Sequence, residues 1–255
     1  MPEPIVIAPG GGEVIGDSPE RRVDVLSDHD RLHATWSRYG PGREGADLHV
    51  HRRHSDLFYV LAGELTVRLG PDGAPVAATA GTLVRVPPLV VHGFRNAAET
   101  ELRYLNFHAP GRGFADYLRA LRDGRTLVYD QEPPPADGGR SPADAAVGED
   151  PYAVELDGVR VALLADVEEI AVAELRCEPA AIAPPPAPDT GLRSLYVLEG
   201  ALVLEWDDGE VVAHAGAWVH VPPGLPHACA AGGDEPARLL DVRAPGGGYR
   251  ALLRP

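Results

Sequence analysis

LHVHRRHSDLFYVLAGEL, Leu48–Leu65, packs three histidines and an aspartate into nine residues and then turns apolar. In an extended chain, positions i and i+2 project to the same side, so His49 and His51 point together while Val50 points away. Asp56 follows a short turn and shares a face with Phe58 and Val60. Imidazoles and a carboxylate converging on one interior spot suit a borderline divalent ion. They also leave coordination positions open for substrate. By this parity His54 falls in the connecting turn, where solvent is its expected partner.

Working outward, the stretch occurs twice. FYVLAGELTV (Phe58–Val67) returns as LYVLEGALVL (Leu195–Leu204). Val86-Pro87-Pro88 leading to His92 returns as Val221-Pro222-Pro223 leading to His227, and Arg103–Phe114 returns as Arg238–Tyr249. Three blocks in the same order signal a duplicated domain. The expected division is a first barrel over residues 1–128 and a linker over 129–150, whose Tyr129–Asp150 is rich in Pro, Gly, Asp and Ala. A second barrel then covers 151–255.

Within each copy, short strand-like runs alternate with Pro, Gly, Asn and Asp. In the first copy they lie at Arg31–Tyr39, Asp47–His51, Leu57–Leu61, Leu65–Leu69, Val76–Ala80, Leu83–Val86, Gly93–Ala97 and Leu102–Phe107. Phe114, Tyr117, Leu118 and Leu121 fall at helical spacing, which predicts one short helix after the first copy. The expected class is all-β: two tandem double-sheet barrels.

The net charge of −15, with 38 acidic residues against 23 arginines and no lysine, argues against nucleic acid or an anionic membrane as partner. Cys177 and Cys229 are too few for a disulfide framework or a cysteine-based zinc site. Neither a secretory signal nor a bilayer-length apolar run is visible, so a cytoplasmic protein is expected.

GTLVRVPPLVVHGFRN (Gly81–Asn96) supplies a further imidazole, His92. With it, the chain resembles the cupin superfamily, whose double-stranded β-helix (jelly-roll) barrels carry two motifs. His49, His51, Asp56 and Gly63 take the spacing of the first motif. Gly81, Pro87, His92 and Asn96 take that of the second, with Leu89 where a glycine is usual. The resemblance implies one divalent metal (Fe, Mn, Ni, Zn or Cu) held by His49, His51, Asp56 and His92. The family's glutamate is aspartate here, so Asp56 either ligates or acts beside the metal as a base. In the latter case the three histidines alone would hold the ion, as in some cupin dioxygenases. Tyr104, Asn106 and His108 alternate on one strand face, and an inward face would make them substrate-binding. Asn96 is expected to support its turn.

In the second copy, Pro186, Pro188 and Arg193 stand where His49, His51 and Asp56 do, and only His227 matches, opposite His92. That barrel should hold no metal, and Arg193 with His227 could take an anion. The implied function is a metal-dependent bicupin enzyme acting on a small organic molecule, as a dioxygenase-type oxidoreductase. The alternatives are a non-catalytic binding or sensing barrel and a cupin isomerase. Cupin barrels also pair through exposed sheets, so a homodimer is within the resemblance.

Overall fold

A computed structural model describes residues 3–148, 151–179, 181–183 and 191–253. Residues 13–149 form one compact unit, and residues 1–12 with 150–255 form the other.

In the first unit the strands are β2 (Glu13–Asp17), β3 (Arg21–His29), β4 (Leu32–Tyr39), β5 (Ser55–Ala62) and β6 (Glu64–Leu69). They continue with β7 (Ala74–Thr79), β8 (Leu83–Val86), β9 (His92–Arg95) and β10 (Leu102–Ala109), then helix α1 (Phe114–Arg122) and the short strand β11 (Ala146–Val147). One sheet runs β11-β8-β5-β10-β4-β3-β2 and a smaller one runs β7-β6-β9. Their inner faces supply Phe58, Val60, Leu65, Val67, Val84 and Tyr104 to a common core. Each large apolar side chain so buried contributes roughly 1.5–3 kcal/mol. The helix lays Ala115 and Leu118 against Val23 and Val25 of β3, which accounts for its apolar stripe.

The second unit holds β1 (Ile5–Ile7), β12 (Tyr152–Leu156), β13 (Val159–Asp166), β14 (Ala171–Cys177), β15 (Leu192–Glu199) and β16 (Ala201–Trp206). It is completed by β17 (Gly209–His214), β18 (Trp218–Val221), β19 (His227–Ala231), β20 (Ala237–Ala244) and α2 (Tyr249–Leu252). Its sheets run β1-β18-β15-β20-β14-β13-β12 and β17-β16-β19. Apart from β1 and β11, which cap equivalent edges, the two units repeat one topology. The fold is two tandem double-sheet barrels with a short helix after the first. Cys177 and Cys229 are both buried and free.

Three local expectations change. Asp47–His51 forms no regular strand; it is held by isolated bridges, His49 to His92 and Val50 to Glu132. The run after the helix, expected as a linker, is bonded to the first barrel over its described residues. Val50 and Glu132 exchange backbone hydrogen bonds of 2.9 and 3.0 Å, the Arg140 N–H donates to the Leu89 carbonyl at 2.8 Å, and β11 pairs with β8. The backbone groups of β8 and of the histidine loop would otherwise lack partners, and this run satisfies them. Residues 3–29, given no strands by their sequence, supply β1, β2 and β3.

Leu89 takes φ +68, the left-handed conformation that Gly224 takes at φ +75 in the second copy. The side chain that replaces the usual glycine therefore keeps the glycine's backbone.

Candidate metal centre

Register decides what meets in the first barrel. Antiparallel pairing sets Asp56 beside His108 and Phe58 beside Asn106 across β5 and β10, and His33 beside His108 across β4 and β10. Reciprocal backbone bonds of 2.8 and 2.9 Å zip His49 to His92. His49, His51, Asp56 and His92 are all buried, and each offers one ligand atom within 4.8 Å of the others.

Each imidazole is oriented from behind. Nδ1 of His49 faces the Asp47 carbonyl at 2.6 Å, Nδ1 of His92 faces the Val90 carbonyl at 2.9 Å, and Nδ1 of His51 faces the Asp130 carbonyl. A carbonyl only accepts, so each Nδ1 carries a hydrogen, and the neutral tautomer this selects turns a bare Nε2 to the interior. Nε2 of His49 and Nε2 of His51 lie 3.2 Å apart. The Asp56 Oδ2 lies 3.3 Å from Nε2 of His92 and 3.7 Å from Nε2 of His51. These are lone pairs facing lone pairs. Ligands about 2.1 Å from one ion are about 3.0–3.4 Å apart at octahedral to tetrahedral angles. The 3.2 and 3.3 Å separations match that and the 3.7 Å one lies just beyond it, so the donor set could hold a single divalent cation. Burial and the neighbouring His92 and His51 pull the pKa of His49 down to about 3. At neutral pH its ring is therefore an uncharged donor. Despite full burial, the adjacent histidines hold Asp56 well below the usual carboxylate range.

The other carboxylate oxygen, Oδ1, accepts from the Asn106 Nδ2–H and lies 3.3 Å from Nε2 of His108. Beyond His108 runs a polar chain. Nδ1 of His108 meets the Tyr129 hydroxyl at 2.7 Å, which meets Nε2 of His54 at 3.0 Å, and Nδ1 of His54 meets Asp130 at 3.1 Å. Asp130 also accepts the backbone N–H groups of Arg52 and Arg53, at 2.9 and 2.8 Å. Four links thus join two carboxylates, whereas two neutral imidazoles and one phenol supply three hydrogens.

His54 is 1% exposed, which corrects the expectation of a solvated turn residue. Its partners, Tyr129 and Asp130, come from the run after the helix, and no spacing in the sequence links them to it. His51, His54 and His108 also lie close enough to form a second histidine group that shares His51. Arg52 pairs with Glu132 at 2.6 Å. Asn96 donates to the carbonyls of Gly40 and Thr100, each at 2.8 Å, and so braces its loop.

Tyr104, Asn106 and His108 face inward and help line a cavity of about 320 Å³ that also reaches His49, His51 and Asp56. Its walls include Tyr39, Phe94 and Phe114.

In the second barrel, Pro186 and Pro188 lie outside the described residues. Arg193 occupies the register position of Asp56, beside Arg243. Its guanidinium donates to Asp241 at 2.9 and 3.2 Å and to Nε2 of His227 at 2.9 Å. The anion expected at Arg193 and His227 is thus a side chain of the barrel itself. A fixed guanidinium meets the imidazole that corresponds to His92. Asp241 also accepts from Arg243 at 2.9 Å and from the Tyr249 hydroxyl at 3.0 Å.

A double-sheet barrel repeated in one chain, with a buried three-histidine, one-aspartate cluster in its first copy, is the architecture of a bicupin. The cupin-domain family model matches residues 35–108 and 174–243, together more than half of the chain, and the chain belongs to the cupin family. Quercetin 2,3-dioxygenase of Bacillus subtilis (strain 168) is 30% identical over 94 residues, 36% of this chain. The match spans 27% of that relative's length. Among solved structures, AerE from Microcystis aeruginosa is similar at a TM-score of 0.66 and 12% identity, covering 94% of this chain and 98% of that one. Oxalate decarboxylase of Lactobacillus farciminis, in a formate complex, is similar at 0.64 and 15%, covering 94% and 86%. At such identities the likeness is one of fold. Among the described residues, no helix is long and apolar enough to cross a membrane.

Proposed function

We propose that this protein is a metal-dependent enzyme for a small organic molecule, a dioxygenase-type oxidoreductase with one divalent ion in the first barrel. His49, His51, His92 and the Oδ2 of Asp56 would hold the ion. Bound there, it supplies Lewis-acid polarisation of a substrate oxygen and open coordination positions. The observation that carries this reading is the convergence of bare Nε2 atoms and a carboxylate oxygen at 3.2 to 3.7 Å, each imidazole tied at Nδ1 to a backbone carbonyl. The 30% identity to a quercetin dioxygenase over part of the chain supports the reaction type.

The remaining residues do ordinary work. Aromatic side chains on the cavity wall would shield bound substrate from water, and Asn106 keeps Oδ1 of Asp56 toward His108, leaving Oδ2 for His51 and His92. His108, on the cavity wall, can take a substrate proton at Nε2 and pass charge toward Tyr129. The chain of four links ending at Asp130 favours a second reading, proton-transfer chemistry without oxygen, as in an isomerase.

Metal analysis and oxygen-uptake assays decide between the two. The purified protein should carry one equivalent of a first-row divalent ion and consume oxygen with a flavonol, catechol, diketone or thiol. His92→Ala should lose the ion, whereas His227→Ala should keep it. Absence of metal from every preparation rules out both readings. Turnover without oxygen uptake selects the second, and bound metal with no turnover leaves a binding barrel.

A further inference from the structure

The cavity has a second polar feature, remote in chain position from the histidines. Arg21, at the start of β3, pairs in register with Tyr39 at the end of β4 and lines the same cavity as His49 and Asp56. Its guanidinium sits 5.4 Å from the centroid of the Tyr39 ring. Its charge also acts on the Tyr104 phenol.

The Nε of Arg21 is buried without a hydrogen-bond partner. Among the described residues, the side chain of Arg21 also has no ion pair. Its neighbours behave differently: Arg22 binds Asp24 at 2.9 Å, and Arg119 engages Glu13 and Asp28. In a chain with 38 acidic residues and 23 arginines, a cavity-lining guanidinium without a carboxylate has hydrogen-bonding capacity left for a ligand.

Strand geometry fixes where it stands. His33 neighbours His108 at one end of β4 and Tyr39 neighbours Arg21 at the other. Six residues of strand span about 20 Å, which is the backbone separation of the metal end from the arginine end. The adjoining rings of Tyr39, Phe94 and Tyr104 line the same cavity.

We infer that Arg21 is a specificity-determining residue that binds the carboxylate of an elongated aromatic or unsaturated acid, whose other end carries the oxygen presented to the histidine cluster. This rests on the proposed metal site. The carboxylate discriminates because the cavity otherwise belongs to an acidic protein that repels anions. A charge-assisted bidentate contact offsets that repulsion.

The test uses the metal-loaded protein in 150 mM salt, with 3,4-dihydroxycinnamate and its primary amide as calorimetric probes. They share the catechol end and differ in charge at the other. The acid should bind at least about ten-fold more tightly than the amide, the factor expected for one hydrogen bond to a charged group. Arg21→Gln should abolish that preference while leaving amide affinity, metal content and melting temperature unchanged, and Arg21→Lys should retain part of it. Equal binding of acid and amide, or a preference that survives Arg21→Gln, overturns the inference and leaves the metal reading intact. So does a metal-loaded protein that binds neither probe. A protein that holds no metal overturns the functional reading first.

Discussion

Asn106 shows how little separates a ligand from a bystander at the scale of one residue. Its Nδ2 holds Oδ1 of Asp56 and also donates to the Leu57 carbonyl at 3.0 Å. The free oxygen is thereby aimed at His92 and His51. Groups that orient a ligand in this way typically carry ten- to a hundred-fold of metal affinity. Asn106→Ala should therefore weaken metal binding by about that factor with little change in fold, as measured by competition with a chromogenic chelator. Unchanged affinity would mean that Asp56 needs no orientation. The aspartate in place of the family's glutamate is the residue-scale departure that the sequence exposes. The structure answers it by bringing the shorter carboxylate to 3.3 Å from His92 through the β5 register.

The elements hold because their turns and edges are specified. Gly63 closes the β5–β6 hairpin at φ +77, and a Cβ there would stand 2.4 Å from the Glu101 carbonyl oxygen. Gly200 repeats the arrangement at φ +73. Gly63→Ala should cost more than the roughly 1–2 kcal/mol of a left-handed non-glycine residue, because the clash adds to it. Gly42→Ala, at φ +65 with open space around it, should cost only the conformational part. Urea unfolding of the two variants checks the difference; equal losses would show that the hairpin relaxes freely. Gly63 and Gly200 were readable from the repeat. The part Tyr129–Glu132 plays was not, because its partners Val50 and His54 lie far back in the chain. β2 and β3 pair with their neighbours in sequence, and their many polar residues in extended backbone leave no clear periodic signature.

For the molecule as a whole, buried neutral histidines make stability depend on pH. Burial is the first cause that lowers the pKa of His33, His49 and His54, with His49 near 3 and an ordinary value of 6.5. A group depressed in the folded state binds its proton only after unfolding, so the folded state loses ground as pH falls below about 6.5. For His49 the loss continues down to about pH 3. Metal-free protein should therefore lose up to about 1.4 kcal/mol per pH unit for each such histidine below pH 6. Asp241, held low by Arg193 and Arg243 despite its burial, runs with the same sign. Its contribution is present above about 3.8 and is lost as pH falls below that. Chemical denaturation from pH 8 to 4 tests the histidine contribution, and a flat profile to pH 4 would mean the histidines are solvated.

What the sequence determined by itself was the duplication, the barrel class and the four residues that can converge on a cation. All three are written in local spacing and in repetition, and these follow from the two-residue period of strands and the fixed offset between copies. Only the tertiary structure decided that His54 is buried, that Tyr129 and Asp130 return to bond it, and that Arg193 is neutralised by Asp241. It alone set Arg21 facing the cavity of the histidine cluster. Those outcomes depend on which distant backbone segments satisfy each other's hydrogen bonds, a choice made when the sheets close and not before.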